Sequence, residues 1–196
     1  MDELEVRLAD EPKGWGRYAP LVKEGNTWYV YLTDAIEDPA AYNEVVHALY
    51  TAPKYVSFKF VISNGGGSAE TAVLLIDAIK ETRATVHFKV AGFMASAATM
   101  LSLSGDSFEI AEHTPFMIHN YSSGGGGAMK GHELKARQEF MDENLSLAFR
   151  DFYKGFLTDE ELDDVIVNGI DIWLHPAEVR TRWVNRQAVL KGEVNE

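Results

Sequence analysis

Apolar and polar positions along the chain follow two periods, one typical of strands and the other typical of helices. Runs rich in aromatic and β-branched residues predict strands at residues 28–33, 55–62, 86–91, 108–111 and 116–119. The run at 55–62 is apolar almost throughout near its end, as in a sheet that is buried on both faces.

Between these runs, apolar residues recur at three-, four- and seven-residue steps, which predicts helices. They are expected at residues 38–50, after residue 68 to about 83, after residue 98 to about 104, and at about 129–156. Thr158 and Glu161 have the spacing of a capping box, and His175-Pro176 is a helix start. Strands that alternate with helices predict an α/β fold with a largely parallel sheet and right-handed crossovers.

The length of 196 residues predicts a single domain. Residues 1–26 mix charges with two prolines and three glycines, so we interpret them as an irregular arm before a domain at 27–190 and a tail at 191–196. The acidic start lacks the basic region and apolar core of a signal peptide. No run approaches the roughly 20 apolar residues that span a bilayer. We therefore expect a cytoplasmic protein without membrane contacts.

Composition excludes several kinds of chemistry. The 30 acidic residues outnumber the 18 Lys and Arg, giving a net charge of −12, which argues against a nucleic-acid binder. The absence of Cys excludes disulfides, thiolate zinc sites and a Cys nucleophile. No phosphate-binding glycine motif is present, and we expect neither a cofactor nor a metal.

Two strand ends carry candidate chemistry. The glycines at 65–67 lie between a strand and a helix, where consecutive glycines can bring backbone N–H groups to an anion. This favours an oxyanion site, although a plain strand–helix turn fits the segment equally well. Ser96 has the same placement, among small neighbours that allow a carbonyl to approach. Taken alone, such a serine is more typical of a helix cap.

A serine nucleophile needs a base and an orienting carboxylate. His119 ends an apolar strand and is followed by a polar, glycine-rich segment, although a core or edge histidine is the commoner origin of this pattern. Asp171 has apolar neighbours on both sides, which predicts a partly buried carboxylate that needs a partner.

Four segments, in this order, resemble the ClpP family, the proteolytic subunit of the Clp protease. Residues 63–68 (SNGGGS) are similar to its N-S-P-G-G-S segment, and residues 92–96 (GFMAS) to its G-x-A-A-S segment. Residues 116–119 (FMIH) match its x-M-I-H segment, and residues 171–178 (DIWLHPAE) resemble D-R-x-x-S-A-x-E-A. The resemblance extends from about residue 28 to residue 184.

The resemblance implies a crotonase-like ClpP fold, built from repeated ββα units with a protruding handle at about 120–157. It also implies a serine endopeptidase with a Ser96–His119–Asp171 triad and an oxyanion hole formed by the N–H groups of Gly67 and Ala97. Family members form heptameric rings stacked in pairs, take protein or peptide substrates, and work with an AAA+ unfoldase. The glycine run at 124–127 and the helix after it correspond to the handle, although a helix packed on its own core fits the pattern as well.

The sequence departs from the family at several positions. Gly65 replaces a Pro, Ala97 replaces a Met, Asn120-Tyr121 stands where Gln-Pro is usual, and Trp183 falls at a frequent Gly. Residues 1–26 do not match the axial-pore segment of the family. This departure weakens the expectation of an unfoldase partner. Such divergence suits a phage or prophage relative as well as a bacterial paralogue. Two other functions stay open: a catalytically silent subunit of a mixed ring, and a crotonase-type acyl-CoA enzyme.

Overall fold

One sheet organises the described part of the chain. The computed structural model describes residues 21–122 and 130–193. The strands there are β1 (Leu21–Glu24), β2 (Thr27–Leu32), β3 (Ser57–Asn64), β4 (Thr85–Ala95), β5 (Ser107–Ile110), β6 (Phe116–Ile118) and β7 (Ile172–Leu174). The helices are α1 (Asn43–Thr51), α2 (Ala69–Glu81), α3 (Ala97–Ser102), α4 (Gly131–Tyr153), α5 (Asp159–Ile166) and α6 (Pro176–Leu190), with a 3₁₀ helix at Pro39–Tyr42.

The strand order is β1-β2-β3-β4-β6-β7, and β5 also pairs with β4. The pairs β2–β3, β3–β4, β4–β5 and β4–β6 are parallel, whereas β1–β2 and β6–β7 are antiparallel. The predicted α/β fold with a largely parallel sheet is therefore confirmed. Two antiparallel strands, β1 and β7, form its edges.

The core lies on one face of the central strands. Phe58, Phe60 and Ile62 of β3 are fully buried, and the ring of Phe60 stacks on that of Phe88 of β4 at 4.8 Å. Lys59, between the two phenylalanines, is exposed. Buried and more exposed residues thus alternate along β3, and the prediction that both of its faces are buried is wrong. Aromatic and β-branched residues are also favoured in strands with one buried face, so the apolar run did not distinguish the two cases.

Hydroxyl side chains cap the start of α2 and of α5. The Ser68 hydroxyl accepts a hydrogen bond from the N–H of Thr71 at the start of α2. Thr158 and Glu161 form both halves of the predicted capping box at α5. Arg182 of α6 then donates two hydrogen bonds to the Glu161 carboxylate, at 2.6 and 2.7 Å, which ties α5 to α6.

The predicted irregular N-terminal arm extends too far along the chain. Residues 21–24, assigned to the irregular arm from the sequence, form β1 and pair with β2. Gly25, with φ +56°, makes the tight turn between the two strands, and a four-residue strand is too short to show a period. Residues 1–20, the glycine run at 124–127 and the predicted helix start at 129 lie outside the described residues. Within the described residues, no helix combines the length and apolar character needed to span a bilayer.

Candidate active site

Ser96 has the most unusual backbone of the described chain. It follows β4 directly, with φ +59° and ψ −139°, and no other non-glycine residue among those described has a positive φ. Its N–H donates to the carbonyl of Met117 on β6 at 2.9 Å, which fixes the turn. Ser96 lies at the N-cap position of α3, yet its hydroxyl makes no capping hydrogen bond. Strained backbone of this kind is typical of functional sites, and the free hydroxyl argues against a simple helix cap.

The glycine turn at 65–67 lies against Ser96. Gly66 and Gly67 have φ values of +100° and +138°, which L side chains rarely adopt. A Cβ on Gly66 would lie 2.5 Å from the Ser96 Cβ and 2.9 Å from its Oγ. A Cβ on Gly67 would lie 2.2 Å from the carbonyl oxygen of Ile36. Both positions therefore require glycine. Because glycine has no side chain, the backbone of the turn can lie directly against Ser96.

The hydrogen bonds around the turn do not use the Gly67 N–H. Ile36 donates to the Gly66 carbonyl and accepts from the Ser68 N–H, both at 2.8 Å, as in a parallel bridge centred on Gly67. In such a bridge the N–H of the central residue points away from the partner strand. Within the described chain the N–H groups of Gly67 and Ala97 have no acceptor. Free backbone donors beside a serine are the components of an oxyanion hole.

His119 and Asp171 come from two neighbouring strands. His119 follows β6 and is half-buried, and Asp171 precedes β7. In the described part of the chain, no hydrogen bond joins Ser96, His119 and Asp171. Asp171 is exposed in the isolated chain, so the partial burial expected from its apolar neighbours is wrong there. The reason is its position beside an edge strand, where Trp173 is exposed as well.

One cavity brings four of the five predicted site residues together. Gly67, Ser96, Ala97 and His119 line a cleft of about 560 Å³, and Asp171 does not. Many of its lining residues come from α4, among them the apolar Met141, Leu145, Phe149 and Phe152. The cleft can therefore hold an apolar side chain beside the Ser96 hydroxyl.

Two hydrogen-bonded contacts of α4 with this region were not predicted. The Tyr153 hydroxyl is hydrogen-bonded to the Thr99 hydroxyl. The Thr99 hydroxyl in turn donates to the Ser96 carbonyl at 2.5 Å. Burial raises the pKa of Tyr153 well above its ordinary range, so this hydroxyl stays protonated. At the other end, the Tyr121 hydroxyl donates to the Asp142 carboxylate. Burial and the Asp142 carboxylate raise the pKa of Tyr121. Periodicity marks Tyr153 only as a core position, so no sequence signal would have singled it out.

Comparison with known proteins agrees with this fold. A family model described as Clp protease matches residues 18–148, more than half of the chain. The match includes the glycine turn, Ser96 and His119, and it ends before Asp171. A sequence comparison with curated proteins finds no significant match. The mixed α/β architecture with its mostly parallel sheet is consistent with the ClpP fold. The chain therefore belongs to the Clp protease family, a family of peptidases whose members generally assemble into rings.

Proposed function

We propose that the protein is a serine endopeptidase in which Ser96 is the nucleophile, His119 the base and Asp171 the orienting carboxylate. The observation that carries the proposal is the environment of Ser96. This is the residue with the strained backbone, its hydroxyl is not used as a cap, and its Oγ lies against Gly66. A structural serine needs none of these features.

The chemistry follows from this arrangement. Ser96 Oγ attacks the carbonyl carbon of a peptide bond while His119 takes the hydroxyl proton. The tetrahedral intermediate collapses, the C–N bond breaks, and His119 returns the proton to the leaving amine. Water then attacks the acyl-enzyme with His119 as base, which releases the acid and restores Ser96.

The two free N–H groups serve the charged intermediate. The oxygen of the attacked carbonyl becomes negative only after Oγ has bonded, and the N–H groups of Gly67 and Ala97 would then donate to it. One such donor contributes about 3–4 kcal/mol to lowering the barrier. The glycine turn therefore contributes to the rate in addition to the side chains.

The role of Asp171 is supported by the register of the sheet. Ile118 of β6 pairs with Ile172 of β7, so the next antiparallel position sets His119 opposite Asp171. Residues directly opposite each other share one face of a sheet. We expect the hydrogen bond between them to form when neighbouring subunits of a ring cover this exposed edge.

The assembly remains part of the proposal. By family resemblance we expect heptameric homo-oligomeric rings stacked in pairs, which enclose the sites in a chamber and restrict cleavage to unfolded or delivered chains. Delivery by an AAA+ unfoldase, a phage or prophage role and a cytoplasmic location stay predictions.

Covalent labelling tests the proposal directly. A fluorophosphonate should label the assembled wild-type protein at Ser96, and Ser96→Ala should abolish both labelling and peptide cleavage. Ser122→Ala is a matched control because Ser122 lines the same cleft. This variant should keep both the labelling of Ser96 and the cleavage of peptides. An assembled wild-type ring that is not labelled and cleaves no peptide would favour the silent subunit. Turnover of acyl-CoA without peptide cleavage would favour the crotonase-type enzyme.

A further inference from the structure

Asn64 is a buried polar residue whose position the triad does not explain. It ends β3 and is 2% exposed, one residue before the glycine turn. Burying an amide is unfavourable unless its donor and acceptor atoms are bonded. Both ends of the Asn64 amide form hydrogen bonds.

The Asn64 side chain links two segments of backbone. Its Nδ2 donates to the carbonyl of Asp34, in the loop after β2. Its Oδ1 accepts from the N–H of Gly66 at 2.8 Å. Asn64 therefore anchors the start of the glycine turn on the segment that also pairs with Gly66 and Ser68 through Ile36.

This anchoring fixes the backbone next to the Gly67 N–H. The Gly66 N–H is directed to Asn64, and the Gly66 carbonyl is held by Ile36. The peptide before Gly66 is thereby held through its N–H, and the peptide between Gly66 and Gly67 is held through its carbonyl. The N–H of this second peptide is that of Gly67, which lines the cleft, and it has no acceptor among the described residues.

We propose that Asn64 is the positioning residue of the oxyanion hole, acting through the hydrogen bond from Gly66 N–H to its Oδ1. The proposal rests on the proposed function, because it assigns Asn64 to the Gly67 donor of that same site. Asn64 does not touch the substrate. Its effect is on how well the Gly67 N–H is aimed at the developing oxyanion.

Two substitutions separate this role from a general contribution to stability. Asn64→Ala removes both hydrogen bonds. Asn64→Asp loses the donor to the Asp34 carbonyl but keeps an oxygen that accepts from Gly66 N–H. Both variants should lower the Tm, whereas only Asn64→Ala should disturb the oxyanion hole. Asn185→Ala is the control, since it removes a side-chain hydrogen bond that Asn185 donates to the Gly155 carbonyl, and neither residue lines the cleft.

The readout is a matched pair of substrates, N-acetyl-leucine methyl ester and its thionoester. Sulfur accepts hydrogen bonds poorly, so a well-aimed oxyanion hole favours the ester. Asn64→Ala should lower kcat for the ester about 10–100-fold with little change in KM, and should reduce the ester-to-thionoester ratio. Asn64→Asp and Asn185→Ala should keep the wild-type ratio. If Asn64→Ala does not assemble, Asn64→Ser replaces it and should show a smaller change in the same direction.

Two results overturn the inference and are distinguishable. A wild-type protein that is labelled at Ser96, with an unchanged ratio in Asn64→Ala or equal losses in the Ala and Asp variants, removes the role of Asn64 alone. A wild-type protein that is neither labelled nor active on the ester removes the proposed function, and this inference falls with it.

Discussion

The register of the β6–β7 ladder, continued by one residue beyond its last pair, sets His119 opposite Asp171. That ladder pairs Phe116 with Leu174, Met117 with Trp173 and Ile118 with Ile172. The buried members, Phe116 and Ile118, alternate with Met117, so His119 belongs to the less buried face. The same alternation sets Asp171 on the face of Trp173. The register of two short strands therefore sets an imidazole opposite a carboxylate, although 51 residues lie between them in the chain.

Asp171→Asn tests whether this alignment is used. The amide cannot stabilise the imidazolium or select the correct tautomer, so kcat for peptide cleavage should fall about 10³–10⁴-fold with KM nearly unchanged. Asp77→Asn, on the exposed face of α2, is the matched control and should retain full activity. Steady-state kinetics of the assembled protein measures both. A loss below tenfold for Asp171→Asn would remove Asp171 from the triad.

Gly66→Ala tests the contact between the glycine turn and the nucleophile. The new methyl group would lie 2.5 Å from the Ser96 Cβ, so either the turn or the serine must move. We expect fluorophosphonate labelling to slow by at least about 100-fold, since the loss of one oxyanion donor alone has an effect of this size.

Gly25→Ala is the control for backbone strain. Gly25 also has a positive φ, but a Cβ there meets nothing within 4 Å. It should lower stability by about 1 kcal/mol, the usual penalty of a left-handed alanine, and leave the labelling rate unchanged. Equal labelling rates for the two variants would show that proximity to Ser96 is irrelevant.

Glu161→Gln tests the ion pair between α5 and α6. Hydrogen bonds from Arg182 lower the pKa of Glu161, and its side chain is 26% exposed. A lowered folded-state pKa gives stability that is present above the unfolded pKa, near 4.3, and is lost as the pH falls through the folded value. The variant should therefore be about 1–2 kcal/mol less stable at pH 7, and the difference should shrink in acid.

Glu160→Gln is the control for this pair. Glu160 occupies the same first turn of α5 but is exposed. Urea unfolding of both variants at pH 7 and pH 3.5 measures the effect. A wild-type advantage over Glu161→Gln that stays constant between these pH values would contradict the ion-pair account.

Phe140→Glu tests the role of α4 in assembly. Phe140 is 62% exposed on α4, where Leu134 and Leu147 are exposed as well, and several exposed apolar side chains on one helix favour an interaction surface. On the proposed double-ring assembly, a charge there should separate stacked rings into single rings, as native mass spectrometry would show. Tyr55→Glu, an equally exposed aromatic outside α4, should leave the stacking intact. Unchanged stacking in Phe140→Glu would exclude this face of α4 from the contact between rings.

Local signals predicted most elements, because their causes are local. Runs rich in aromatic and β-branched residues predicted β2, β3 and β4, and the capping box of Thr158 and Glu161 forms as expected. β1 was missed because its four residues show no period and are ordered by pairing with β2.

Of the candidate site, the sequence alone predicted the residues that follow the ends of strands. Ser96 and His119 were indicated by where apolar runs stop, which is a local property. Their connection to Asp171 came from family resemblance, since a pairing between β6 and β7 is invisible in either segment alone. Asn64 was missed for the same reason: its two partners, Asp34 and Gly66, are defined by the folded chain.

The sheet order also has a consequence for the newly made chain. The residues before α4 already contain the serine, the histidine and the glycine turn, but the carboxylate arrives only after α4 and α5 have been synthesised. β7 has three residues, and among the described strands it pairs with β6 alone. On the proposed triad, a nascent chain on the ribosome therefore lacks its orienting carboxylate until α5 and the segment after it have been made and β7 has paired with β6.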